Sequence, residues 1–449
     1  MKDLTNGNEA KLIFYFAVPM LIGNVFQQLY TTVDSVIVGR FIGKEALAAV
    51  GASFPIIFLL VSLIMGITMA CSILISQYFG AKEMEKVKRT IDTTYIFLFC
   101  AAVLITGIGI IFSEPILRLL KTPPAILQLA TTYLKIIFAG ILATFGFNTI
   151  SAILRGLGDS KTPLYFLIVS TIINIVLDLV FVLSFKWGVA GAAWATVIAQ
   201  GVSVIFGLIY LRIQNEIFRF HWNRLTFDFL IFKQSLIIGL PTGVQQMLVA
   251  AGFMALSRIV NGFGTITIAA YTAASRLDSF ASMPAMNLSM AVSSFVGQNL
   301  GAKKPERVKK GHLVALAMAG CISLSITAIV FIFGRELVAL FTNDPGVIQI
   351  GYDYLRIVGV FYIVFSSMFI TNGVLRGAGD TLVPMFATVL SLWLARVPVS
   401  ALLSQKIGAT GIWWGIPIGW TVGLILSVGY YLTGNWKKKI VVGILPELE

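Results

Sequence analysis

Residues 48–77 read AAVGASFPIIFLLVSLIMGITMACSILISQ, thirty positions without one charged side chain. A hydrocarbon slab about 30 Å thick is crossed by roughly twenty apolar residues in α-helical form. This stretch is long enough to do so, and it lacks the short alternating pattern of a barrel strand. Reading outward from it, comparable runs recur at 12–38, 91–113, 126–152, 162–185, 188–211, 232–257, 266–298, 312–334, 348–374, 381–404 and 410–433. Together they predict an all-α polytopic membrane protein with twelve transmembrane helices. Helices are expected because lipid offers backbone groups no outside partner.

The composition agrees. Of 449 residues, 57% are hydrophobic and 12% charged, against about a quarter charged in ordinary globular chains. The net charge of +13 does not point to nucleic acid, because the basic residues fall in the gaps between apolar runs. Alternate gaps are unequal. One set, including Lys82 to Arg89, Lys303 to Lys310 and Lys437 to Lys439, holds 21 Lys and Arg; the other set holds 8. The bias places both termini and the 6–7 loop in the cytoplasm, which also requires an even number of crossings. The first run is too long for a cleaved leader and is expected to stay in the mature chain. Cys71, Cys100 and Cys321 lie in apolar runs without metal or redox spacing and read as buried small hydrophobes.

The chain repeats itself. Gly80-Ala81-Lys82 returns as Gly301-Ala302-Lys303, Tyr133-Leu134-Lys135 as Tyr354-Leu355-Arg356, and Arg155-Gly156-Leu157-Gly158-Asp159 as Arg376-Gly377-Ala378-Gly379-Asp380, each displaced by 221 positions. An even number of crossings separates the copies. Two pseudo-symmetric six-helix bundles of equal orientation are therefore predicted, at 1–211 and 232–449. The polar stretch 212–231, with His221 and Trp222, reads as the cytoplasmic linker between them.

Ionisable groups inside a membrane are expensive and point to function. In the first crossing Asn24, Gln27, Thr31 and Asp34 are spaced by 3, 4 and 3, which puts them on one helix face. The fifth crossing stacks Ser170, Asn174 and Asp178, and the sixth Thr196, Gln200 and Ser203. Polar stripes of this kind belong against a watery interior. Two carboxylates, an amide oxygen and a hydroxyl suit a small hard cation such as Na⁺, or a proton. The bland alternative is a satisfied hydrogen-bond network that fixes packing. The acids are not repeated: shifts of 220 to 222 from Asp34 reach Met254, Ala255 or Leu256, and from Asp178 reach Pro398, Val399 or Ser400. Duplicated backbone with unduplicated acids favours function in the first half.

Other intramembrane charges, Arg276, Asp278, Arg396, Lys135 and Arg356, are expected to serve structure. Prolines lie within crossings at Pro19, Pro241, Pro284, Pro384, Pro398 and Pro417, and Pro19 would allow a bend fifteen residues before Asp34. No Walker loop, zinc-binding His pair or nucleophile elbow is present, so no enzyme class is indicated. The two Arg-Gly-x-Gly-Asp stretches read as tight turns.

The opening Asp3-Leu4-Thr5 to Asn8, the stretch Gln27-Gln28-Leu29-Tyr30 through Asp34 to Val38-Gly39-Arg40, the run Ala46-Leu47-Ala48-Ala49-Val50-Gly51 and the paired loops resemble the multidrug and toxic compound extrusion family. The similarity covers nearly the whole chain. It implies two bundles around a V-shaped cavity that opens alternately to either side. It also implies a secondary active antiporter that exports amphipathic or cationic organic compounds in exchange for H⁺ or Na⁺. Asp34, Asn174, Asp178 and Thr196 match the family's cation-coupling residues. Met20, Gln27 and Tyr30 match its cavity lining, beside Asn24, Thr31 and Gln200 of the polar stripes. A branch with acids in helices 7 and 10 is matched here by Val249 and Phe365, so coupling is expected in the N-terminal half. No cofactor beyond the ion is expected, and a monomer in lipid of the plasma membrane is. A related fold handles lipid-linked or polyanionic substrates, which would call for a strongly cationic cavity.

Overall fold

The computed structural model describes residues 2–214 and 225–442, so half of the expected linker 212–231, including His221 and Trp222, lies outside the described residues. It is helical, with no β-strand among the described residues. The spans in order are α1 (Glu9–Ile37, continued as a π-helical turn Val38–Ile42), α2 (Lys44–Gly80) and α3 (Met84–Leu119). Next come α4 (Pro124–Ala139 and Ile141–Gly156), α5 (Lys161–Asp178, continued as π-helical Leu179–Ser184) and α6 (Gly188–Gln214). The second half follows as α7 (Phe229–Asn261), α8 (Thr265–Gly301) and α9 (Pro305–Ala339). It ends with α10 (Pro345–Gly359 and Tyr362–Gly377), α11 (Leu382–Leu390, π-helical Ser391–Arg396, Val397–Ile407) and α12 (Ala409–Thr433).

Nine of these spans are long and apolar enough alone to cross a membrane, and α4 and α10 qualify as broken spans. The twelfth, α8, is 37 residues long but rich in Ser, Thr and Asn and carries Arg276 and Asp278, which makes it less apolar than the others. Twelve crossings result. Outward faces are apolar: Leu104 is 62% exposed and Ile111 69%. Such surface is stable in lipid and would aggregate in water. Cys100 and Cys321 lie on exposed faces of α3 and α9; only Cys71 is buried as expected. His312 is buried within α9, its ring 4.6 Å from that of Tyr431.

The internal repeat extends to backbone detail. Both broken spans bend by 50°, and the starts of both segments and the end of the second are displaced by the same 221 positions as the sequence motifs. The sequence predicts unbroken helices over 126–152 and 348–374. The first bend falls at Gly140, whose missing side chain leaves room for Val197 of α6. Lys82 and Lys303 share a left-handed backbone (φ 62° and 57°), as do Gly158 and Gly379 (81° and 95°). The two Arg-Gly-x-Gly-Asp stretches are turns. Asp159 accepts from Thr162 N at 3.0 Å and from Tyr210 Oη at 3.0 Å; Asp380 accepts from Val383 N at 3.4 Å and from Tyr430 Oη at 2.6 Å. Each acid caps the next helix, satisfying amides that have no partner within it.

By contacts the chain forms two compact units, one holding Pro19–Gly239 and the other Asp3–Val18 with the chain from Leu240 onward. The expected bundles 1–211 and 232–449 differ from these units at the start of α1 and at the start of α7, where the chain up to Gly239 falls in the first unit. Polar bonds explain the placement: Leu4 N donates to Gln298 Oε1 at 2.9 Å, Lys304 Nζ to Thr5 O at 2.9 Å, and Arg307 pairs with Glu9 at 3.0 Å. Within the second unit α12 presents Gly411, Gly415, Gly419 and Gly423, four apart, to α11. A Cβ at Gly419 would stand 2.8 Å from Arg396 Cβ, so the two backbones are in van der Waals contact.

Candidate functional site

The first unit gathers most of the residues singled out in the sequence. Asn174 and Asp178 are each 0% exposed and sit one helical turn apart at the end of α5. At that point the helix widens into the π-helical Leu179–Ser184. Asp34 of α1 likewise stands one turn before the π-helical Val38–Ile42. Insertions of this kind turn a side chain off its regular helical direction and recur at functional sites. The carboxyls of Asp34 and Asp178 lie within reach of each other's charge.

What these groups lack is hydrogen-bond partners. Asp34 Oδ1, both oxygens of Asp178 and both polar atoms of Asn174 are buried without a hydrogen-bond partner. Buried polar atoms are nearly always paired, and leaving one unpaired costs about 1–3 kcal/mol, more for a charge. A packing network would satisfy its members. Thr196 of α6 joins the group by accepting from Tyr30 Oη at 3.1 Å. So the structure brings together Asp34, Asn174, Asp178, Thr196 and Tyr30. Among the described residues no group of three or more His, Cys, Asp or Glu is arranged for a metal. The amide, hydroxyl and carboxylate oxygens instead form a set of the hard-donor kind.

Tyr133 also belongs here, and sequence reasoning missed its role. It is 7% exposed, on α4, within the electrostatic reach of both Asp34 and Asp178. The signal was its place in the repeated Tyr-Leu-Lys/Arg motif, whose basic member attracted attention. Lys135 and Arg356 are in fact exposed, while Tyr133 and Tyr354 are buried.

The other expected residues are more dispersed. Gln200 accepts from Thr144 Oγ1 at 2.5 Å, which ties α6 to α4. Asn24, Gln27 and Thr31 lie on exposed parts of α1, and Met20 is partly buried. Thr31 Oγ1 bonds back to Gln28 O at 3.0 Å. Pro19 lies inside a continuous α1, at the residue where the contact-defined units divide.

The second unit departs from the first at the equivalent positions. The MatE family profile matches twice, over residues 19–180 and 241–402. The chain belongs to the MatE family of membrane transporters. Members are transporters and not enzymes. The chain is 35% identical over 438 residues to the probable multidrug resistance protein YpnP of Bacillus subtilis, covering 97% of each chain. It is 26% identical over 442 residues to the probable multidrug resistance protein NorM of Thermotoga maritima, covering 96% of this chain and 94% of that one. In fold it is similar to the outward-facing structure of a multidrug resistance MATE family transporter of the MOP superfamily. That likeness has a TM-score of 0.90 at 25% identity, over 98% of this chain and 99% of the other. Displacements of 220 to 222 from Asp34 and Asp178 reach Met254 to Leu256 and Pro398 to Ser400, none of them acidic. Leu256 is buried in the apolar core, and Ser400 donates to Ile412 O at 3.0 Å. Phe365 packs its ring 4.8 Å from that of Trp420.

Proposed function

We propose that this MatE-family transporter is a secondary active antiporter that exports amphipathic or cationic organic compounds by alternating access. The compounds leave in exchange for H⁺ or Na⁺ taken up at Asp34, Asn174, Asp178 and Thr196. The carrying observation is the set of buried oxygens without a donor on Asp34, Asn174 and Asp178. Two carboxylates in a membrane interior repel each other and forgo hydration, so a cation between them removes both penalties. A proton would supply the missing donor; Na⁺ would use the same oxygens as ligands. Ion binding draws α1, α5 and α6 together, and ion loss frees them, which links occupancy to conformation.

Coupling through the N-terminal half is supported by the apolar Leu256, Val249 and Phe365 in the second half. Export of drug-like molecules is supported by the relatives' names. Met20, Asn24, Gln27, Tyr30, Thr31 and Gln200 supply thioether, aromatic and amide surface for varied substrates and occupy the same unit as the acids. The reading includes a monomer in the plasma membrane with both termini cytoplasmic.

The test is efflux of a fluorescent organic cation from proteoliposomes under an imposed H⁺ or Na⁺ gradient. Wild type should respond to one gradient, and Asp34→Asn and Asp178→Asn should respond to neither while inserting normally. Gradient-driven efflux by both variants would overturn the site.

A further inference from the structure

The second unit holds a buried charge that its own fold does not satisfy. Arg396, at the end of the π-helical segment of α11, is 8% exposed. Among the described residues it makes no hydrogen bond and no ion pair within 4.0 Å. Its one close polar-type contact is with the Phe253 ring, whose centroid lies 5.2 Å from the guanidinium. A guanidinium carries five donors in a planar fork. Burying it without an acceptor costs several kcal/mol in a membrane protein.

Asp278 of α8 is near enough for its charge to act on that of Arg396, with no ion pair between the two. Asp278 Oδ1 is buried without a partner, while Oδ2 accepts from Tyr354 Oη at 3.4 Å. Tyr362, 2% exposed, sets its hydroxyl beside the Asp278 carboxyl without a well-formed hydrogen bond to it. Tyr271 closes the group, its ring stacked on Trp413 at 5.7 Å and 5°. The cation and the anion are thus held apart within an aromatic setting, and Phe253, at 45% exposure, leaves the arginine side open.

We infer that this cluster is a substrate subsite for zwitterionic aromatic molecules, with Arg396 receiving the carboxylate and Asp278 the ammonium. A carboxylate matches the guanidinium fork with two parallel hydrogen bonds. An ammonium supplies the donors Asp278 Oδ1 lacks, and the surrounding rings accept an aromatic body. Net charge is preserved when both ends are occupied, so binding leaves no new buried charge. The inference deepens the proposed export of organic compounds and rests on that reading, but not on ion coupling through Asp34 and Asp178.

The test is equilibrium binding to the purified full chain, read by energy transfer from tryptophan to three dansyl probes. Nε-dansyl-lysine carries ammonium and carboxylate, its methyl ester only ammonium, and 6-(dansylamino)hexanoate only carboxylate. Wild type should bind dansyl-lysine about tenfold more tightly than either of the others, as one charge-assisted contact implies. Arg396→Gln should bind dansyl-lysine and the ester equally, with affinity for the ester unchanged. Arg396→Lys should keep part of the preference. Asp278→Asn should equalise dansyl-lysine and the hexanoate. The inference is overturned if wild type does not discriminate among the probes, or if Arg396→Gln keeps the discrimination. It is equally overturned if Asp278→Asn and Arg396→Lys weaken all three probes alike, the mark of a purely structural pair. Gradient-driven efflux of the dansyl-lysine ester by the wild-type protein would leave the antiport reading standing in every one of these cases.

Discussion

Tyr30 on α1 donates its hydroxyl hydrogen to Thr196 Oγ1 on α6 at 3.1 Å, a bond that ties the acid-bearing face of α1 to the oxygens facing it. It orients the Thr196 oxygen while Asp34 and Asp178 remain without donors. Tyr30→Phe removes the donor and leaves the ring. A net loss of about 1 kcal/mol corresponds to roughly fivefold in an equilibrium constant. The coupling-ion concentration for half-maximal efflux in proteoliposomes should rise by about that factor, with the maximal rate little changed. An unaltered ion dependence would remove Thr196 from the site.

Asp34 and Asp178 should act as one unit. Asp34→Asn and Asp178→Asn should each stop ion-driven efflux, and the double variant should be no worse than either, the non-additivity expected of interacting groups. Stability should move the opposite way. Neutralising one of two buried, unpaired carboxylates removes a penalty, so each single variant should melt at or above the wild-type temperature in detergent. A packing role predicts the reverse, a drop in melting temperature, and that drop is what would refute the functional reading.

The order and number of crossings were legible because apolar run length and loop charge respond directly to the bilayer. The acid-bearing residues were legible for the same reason: a carboxylate such as Asp178 inside an apolar run is conspicuous, and Asn174 one turn away shares its face. Tyr133 was not, since a tyrosine in an apolar helix is commonplace and its partners come from distant helices. Arg396 was visible as a charge, but its lack of a partner is a tertiary fact. The bend at Gly140 and the π-helical turns after Asp34 and Asp178 depend on packing against neighbours, which spacing alone does not encode.

Asp159 and Asp380 occupy equivalent turns but cap unequally. Asp159 receives bonds from Lys161 N at 3.1 Å, Thr162 N at 3.0 Å, Thr162 Oγ1 at 2.6 Å and Tyr210 Oη at 3.0 Å. Asp380 receives a long bond from Val383 N at 3.4 Å and a short one from Tyr430 Oη at 2.6 Å. Loss of a helix cap costs about 0.5–2 kcal/mol. Asp159→Ala should fall at the upper end of that range and Asp380→Ala at the lower, in denaturant titrations of the purified chain. The sites share no partner, so the double variant should show the sum.

Asp3 gives a pH dependence with a definite sign. Partial burial pushes its carboxyl up, but hydrogen bonds from Thr5 Oγ1 (2.6 Å), Thr5 N (2.7 Å) and Asn6 Nδ2 (2.8 Å), with the charge of Lys304, outweigh burial and hold it below the ordinary value of 3.8. A carboxyl depressed in the folded state adds stability above its unfolded pKa and loses that stability as pH falls through the folded one. Hydrogen exchange at residues 4–8 should therefore hold the same protection from pH 8 to 5, after correction for intrinsic rate. It should lose protection only below about pH 4. Asp3→Asn should show the weaker protection at every pH.

Two glycines of α12 separate packing from backbone freedom. At Gly419 a Cβ would meet Arg396 Cβ at 2.8 Å and Ser391 O at 3.1 Å, both on the π-helical segment of α11. Neither atom is the loose end of a side chain, so Gly419→Ala must push α12 away from α11, at about 1–3 kcal/mol as for other overpacked sites. At Gly429, ten residues further along the same helix, nothing lies within 4 Å of the added methyl group. There alanine only restricts the unfolded chain and favours helix, which should stabilise by about 0.4–1 kcal/mol. Melting curves of the two variants should move in opposite directions. Because Arg396 sits on the displaced segment, Gly419→Ala should also weaken binding of Nε-dansyl-lysine, while Gly429→Ala leaves it alone. Equal and small effects at both positions would mean that α11 and α12 are not held in close contact by the glycine seam.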